Sequence, residues 1–148
     1  MAQLATDLDT IASSLAALDD GGDPAAAIFR RVYRGPRDPL TVDELPAVMF
    51  TPDTLGSPEM MADDKPERVL QLSLAVVCRI DGDETPDTTI LGLMEKVAGV
   101  LDAGPLTGAE VGITSDWDMD GRIDPTSGSR MWAICTFEIR RMTNRGAL

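Results

Sequence analysis

Leu70-Gln71-Leu72-Ser73-Leu74-Ala75-Val76-Val77-Cys78-Arg79-Ile80 is the stretch that decides the fold. Apolar side chains fall at 70, 72, 74, 76, 78 and 80, with Gln71, Ser73 and Arg79 between them, which is the period of a strand. At about a dozen residues it exceeds the usual strand of roughly five or six, so it predicts a long sheet strand with one face on a core and a mixed second face.

Outward from it, the period changes to helical. Thr85-Pro86 places a cap residue before a proline at the first helical position, and Ile90, Leu91, Met94, Val97, Ala98 and Leu101 follow at helical spacing until Gly104-Pro105. At the N-terminus Leu4, Leu8, Ile11, Leu15 and Leu18 form a second amphipathic stripe, which predicts a helix over 3–18 ended by Asp19-Asp20-Gly21-Gly22.

The remaining apolar runs read as strands. Ala27 to Tyr33 is β-branched and aromatic, lies between Asp23-Pro24 and Gly35-Pro36, and carries Arg30 and Arg31, which suits a short strand near a sheet edge. Thr41 to Glu44 has capping-box spacing, but Pro46 leaves room for at most one turn, and Ala47 to Phe50 resumes as strand. Residues 51 to 66 hold Pro52, Gly56, Pro58 and Pro66 and predict a long surface loop. Val111, Ile113 and Trp117, then Met131, Ala133, Cys135, Phe137 and Ile139, alternate as the two arms of a long antiparallel hairpin, and Thr143 to Leu148 should fray.

The element order α, β, β, β, α, β, β therefore predicts one α+β domain over residues 1–148. Its sheet is mixed and mainly antiparallel, with two helices packed on one face and a long C-terminal β-hairpin. With 43% apolar residues the chain can bury a core without disulfide or metal. Cys78 and Cys135, the two cysteines, fall inside alternating runs and are expected to be buried free thiols.

Charge and composition narrow the function. Thirteen Lys and Arg against 25 Asp and Glu give a net charge of −12, which repels phosphates, so no sequence-specific nucleic acid partner is expected. No run reaches the roughly 20 apolar residues of a membrane helix, and the basic start and apolar run of a signal peptide are missing; cytoplasmic residence and no membrane partner are expected. Histidine is absent, removing the commonest general base and transition-metal ligand. No G-x-S-x-G elbow occurs, and Gly108 to Gly112 lacks a phosphate-binding pattern, so no catalytic residue is assigned.

One motif carries chemistry. Asp116-Trp117-Asp118-Met119-Asp120-Gly121-Arg122-Ile123-Asp124 matches the opening of a calcium loop, with Asp116, Asp118, Asp120 and Asp124 as carboxylate ligands and the carbonyl of Arg122 as a further one. Calcium or magnesium is the cofactor this would imply. Against an EF-hand, Ser127 stands where a bidentate Glu belongs, and Pro125 obstructs the exit helix. The alternative is a solvated hairpin loop without metal, since Asp-Gly turns commonly join strands. Trp117 and Trp132 flank the loop and would pack on each other if the register set them opposite.

The layout as a whole resembles the tail terminator or tail completion proteins of long-tailed bacteriophages. The likeness lies in the N-terminal helix ending near Leu18, the Leu45-Pro46-Ala47-Val48 lead-in to a strand, the long strand ending at Arg79-Ile80-Asp81, the helix ending at Val100-Leu101, and the hairpin from Gly112 to Arg141. It covers nearly the full chain. The resemblance implies a virion structural protein, assembled in the host cytoplasm, that forms a homohexameric ring, caps the tail tube protein and joins it to the head–tail connector protein, with DNA only passing through the lumen. It implies no catalytic residue, and the Asp116 to Asp124 run is not a feature of that family. Other readings kept open are another phage neck or minor tail protein, a small calcium-binding module, and a hydrolase with an acidic metal site.

Overall fold

The computed structural model describes residues 2–22, 24–35, 37–56, 67–123 and 128–142. Along the chain lie α1 (Ala2–Ala16), β1 (Arg31–Tyr33), β2 (Ala47–Gly56), β3 (Glu67–Arg79), α2 (Pro86–Asp102), β4 (Ala109–Ile113), β5 (Asp118–Arg122) and β6 (Arg130–Met142). The strands form one six-stranded sheet of order β1-β2-β3-β6-β4, with β5 pairing β6 beyond β4. This is the expected α+β class.

The sheet is organised by β3 and β6, each thirteen residues long and antiparallel in unbroken register from Glu67 opposite Met142 to Arg79 opposite Arg130. Residues directly opposite share a face, so Leu70, Leu72, Leu74, Val76 and Cys78 join Ala133, Cys135, Phe137 and Ile139 on one apolar side. Both helices cover that side: α1 contributes Leu4, Ile11 and Leu15, and α2 contributes Ile90, Leu93, Met94, Val97 and Leu101. Phe50 of β2 meets Phe137 edge-on at 6.3 Å between ring centroids, a favoured aromatic geometry at the centre of this layer.

The second face is also partly covered. Val42 and Leu45 pack on Ala47, Met49, Ala75 and Val77, with Tyr33 and Trp132 at the margin. The strap that carries Val42 and Leu45 begins with a turn in which Asp38 accepts the Leu40 N–H on its side chain and the Thr41 N–H on its carbonyl. Thr41 donates its hydroxyl to the Asp38 carbonyl.

The mixed sheet is as expected, since β1 runs parallel to β2, Arg31 opposite Ala47, and two other expectations are corrected. The link 34–46 has the roughly dozen residues a parallel crossover needs and spends them covering the second face. The strand expected from Ala27 begins only at Arg31; Ala27 bridges Asp19, and the Ile28 N–H bonds the Leu18 carbonyl where the chain leaves α1.

The loop expected from residue 51 starts later, because β2 continues to Gly56. A bulge between Pro52 and Thr54 makes Asp53 the extra residue, and since β1 ends opposite Met49, Pro52 lies on a free edge where its missing N–H is tolerated. The rest of that expected loop, 57–66, and the fraying expected of 143–148 lie outside the described residues.

Candidate interaction surfaces and the acidic hairpin

The first arm of the C-terminal hairpin is split. Ile113 lies opposite Phe137 and Asp118 opposite Ile134, so residues 114–117 bulge out between β4 and β5. The Ser115 hydroxyl holds the bulge by accepting the Thr136 N–H at 2.8 Å, and the Thr114 N–H bonds the Thr136 carbonyl at 2.9 Å.

Past the bulge, the acidic run is a strand. Asp118, Asp120 and Arg122 lie opposite Ile134, Trp132 and Arg130 on the second face, and every residue of β5 is exposed. In a calcium loop the carboxylates curl toward one ion at about 2.3–2.6 Å, whereas alternate residues of a strand stand roughly 6.6 Å apart. Asp116 sits in the bulge, Asp120 accepts the N–H of Gly121 at 2.7 Å, and Asp124 lies outside the described residues. Among the described residues, no three acidic or cysteine side chains are grouped to hold a cation. Gly121 has a packing reason of its own: a Cβ there would stand 3.2 Å from both the Arg130 carbonyl and the Met131 side chain.

The two tryptophans part company. Trp117 packs with the helix-covered core and Trp132 with the strap cluster, on opposite sides of the sheet. Both cysteines are buried free thiols, as expected. Burial pushes the Cys78 thiol up to about 11, helped by the charge of Asp83, and the Cys135 thiol up to about 12. Neither supplies a thiolate at neutral pH.

Two charged residues that sequence reading did not single out organise the surfaces. Arg130, 4% exposed, donates Nη1 to the Pro39 carbonyl at 2.9 Å and the Val42 carbonyl at 2.5 Å, pinning the strap to the sheet. Asp7, on the buried side of α1, takes two bonds from Arg141 at the end of β6. Neither is marked by a local motif; each partner is far off in sequence.

The sheet ends in two unlike edges. At β1, Arg31 is exposed between Arg30 and Arg34, and the guanidinium groups of Arg31 and Arg37 lie 5.5 and 4.9 Å from the Tyr33 ring. At β5 the exposed charged groups are Asp118, Asp120 and Arg122, with Asp116 just before them. Exposed apolar side chains lie near these margins, Leu55 on β2, Met119 and Ile123 at β5, and Ile134 on the open face.

No family model matches the chain, and no curated protein is similar to it.

Proposed function

We propose that this chain is a ring-forming structural subunit of a phage tail, a terminator that caps the tail tube and joins it to the head–tail connector without chemistry of its own. The observation that carries the reading is the pair of unlike sheet edges, one rich in arginine and one in aspartate, paired by no further strand among the described residues on a subunit whose helices cover a single face. A subunit with two different sticky margins is built for head-to-tail contacts, and such contacts close into rings when the rotation allows.

The architecture also agrees with what the resemblance to tail terminators implies, a mixed sheet flanked by helices. The net charge of −12 suits a ring through which DNA slides without sticking, provided the acidic groups line the lumen.

Light scattering coupled to size exclusion tests the reading, in calcium and in chelator. The expected species is a ring of about six copies of the 15.8 kDa chain, unchanged by chelation. A strict monomer at high concentration in both buffers overturns it.

A further inference from the structure

The two margins are matched in height and direction as well as opposite in charge. One row of the ladder runs Arg31, Ala47, Val77, Trp132, Asp120, and the next runs Tyr33, Met49, Ala75, Ile134, Asp118. Arg31 and Asp120 therefore stand at the same level on opposite edges, on the same face of the sheet.

Direction follows from the pairing. β1 is parallel to β2, and each later pairing, β2 with β3, β3 with β6 and β6 with β5, is antiparallel. Hence β5 runs opposite to β1. A second copy rotated about an axis along the strands keeps these directions and sets its β1 antiparallel to β5 of the first. Below them, β4 of one copy and the open stretch of β2 in the next are antiparallel as well.

Charge selects this arrangement over its competitors. Residues 24 to 37 contain Arg30, Arg31, Arg34 and Arg37 and no acid. Arg34 pairs with Asp9, but Arg31 lies 4.0 Å from Glu44 with both side chains more than half exposed, so water still reaches it. Asp116, Asp118 and Asp120 form no ion pair among the described residues. A two-fold dimer through the β1 edge would bring its arginines together, which cross-strand pairing disfavours. The unlike edges attract.

We infer that copies of this chain join head to tail, β5 of one beside β1 of the next, with Asp120 against Arg31 and Asp118 against Tyr33 and the Arg37 guanidinium over its ring; this names the contact on which the ring reading rests. Each copy offers one basic and one acidic edge, so the contact repeats around the assembly.

Charge reversal at each edge tests it. Variant one carries Asp118→Lys and Asp120→Lys, and variant two carries Arg31→Glu and Arg37→Glu. All four positions are exposed, and matching thermal melts of the isolated variants establish that both fold. Each variant alone has two edges of like charge and is expected to fall from the assembled mass to the 15.8 kDa monomer. An equimolar mixture gives each variant a complementary neighbour, so alternating copies should restore the wild-type mass.

If wild type assembles and the variants keep its mass, this contact is wrong and the ring reading stands. If the folded variants are monomeric and mixing restores nothing, the pairing of these two edges is wrong. A monomeric wild type removes the ring reading itself.

Discussion

Asp7 and Arg141, separated by 134 residues, are joined by a two-pronged ion pair: Nε donates to Oδ2 at 2.8 Å and Nη2 to Oδ1 at 2.6 Å. Asp7 is 2% exposed and sits on the same stripe of α1 as Leu4 and Ile11, so the bond fastens the first helix to the end of the last described strand. Removing one partner of such a pair leaves the other charge without compensation. Asp7→Ala should cost about 3–5 kcal/mol of unfolding free energy in urea titrations. Arg141→Met should cost a similar amount, and Asp7→Ala with Arg141→Met together much less than the sum. Additive losses would show that the two side chains do not act together.

Arg130 makes a comparable fastening between β6 and the strap. Its guanidinium is buried among carbonyl oxygens of Pro39 and Val42, which hold Val42 and Leu45 over Ala75 and Val77. Arg130→Met should lower stability by about 1.5–3 kcal/mol, the usual range for hydrogen bonds to a charged group. The loss should be local first. Hydrogen exchange at Thr41, whose N–H bonds Asp38, should accelerate more than exchange in the β3–β6 ladder. Equal acceleration throughout would mean that the strap is not the element Arg130 holds.

These two residues mark where sequence reading stops. The alternation over 70–80, the Leu4 to Leu18 stripe and the Thr85-Pro86 start give β3, α1 and α2 to within three residues at their ends, because local periodicity records which face is buried. Periodicity carries no strand direction, so the parallel β1–β2 pair was not legible. Pro52 reads as a strand breaker, and only its place at a bulge on a free edge makes it acceptable inside β2. The Asp116 to Asp120 run looks like a loop by composition, yet the unbroken length of β6 offers a partner edge that draws Asp118 to Arg122 into a strand. The edge arginines were visible in sequence. The alignment of Arg31 with Asp120 requires the sheet order.

The start of α2 provides a pH test. Asp83 accepts the Thr89 hydroxyl at 2.6 Å and the Thr85 N–H at 2.9 Å, and these bonds, the Thr89 one foremost, hold its carboxyl below the ordinary value of 3.8. A lowered folded pKa means that the stabilisation is present above the unfolded value and is lost as pH falls through the folded one. Thr89→Val should raise the Asp83 pKa toward 3.8 in an NMR titration of its carboxyl carbon, and should narrow the gap between melting temperatures at neutral pH and in acid. An unchanged titration would remove the Thr89 hydroxyl as the cause.

The buried thiols give the opposite sign at the alkaline end. Burial raises Cys78 to about 11 and Cys135 to about 12 from an ordinary 9.0, with the Asp83 charge adding to the effect at Cys78. Thiolate is the reactive form, so folded protein at neutral pH should resist a thiol-specific disulfide reagent and release both equivalents only in denaturant. A raised folded pKa contributes stability that is full below 9.0 and is lost as pH climbs through the folded values near 11 and 12. Unfolding midpoints should therefore decline over that window in wild type and decline less with Cys78→Ala and Cys135→Ala together, although that variant is less stable at neutral pH for lost packing. Rapid labelling of the native protein at neutral pH would contradict the burial on which both halves of this prediction depend.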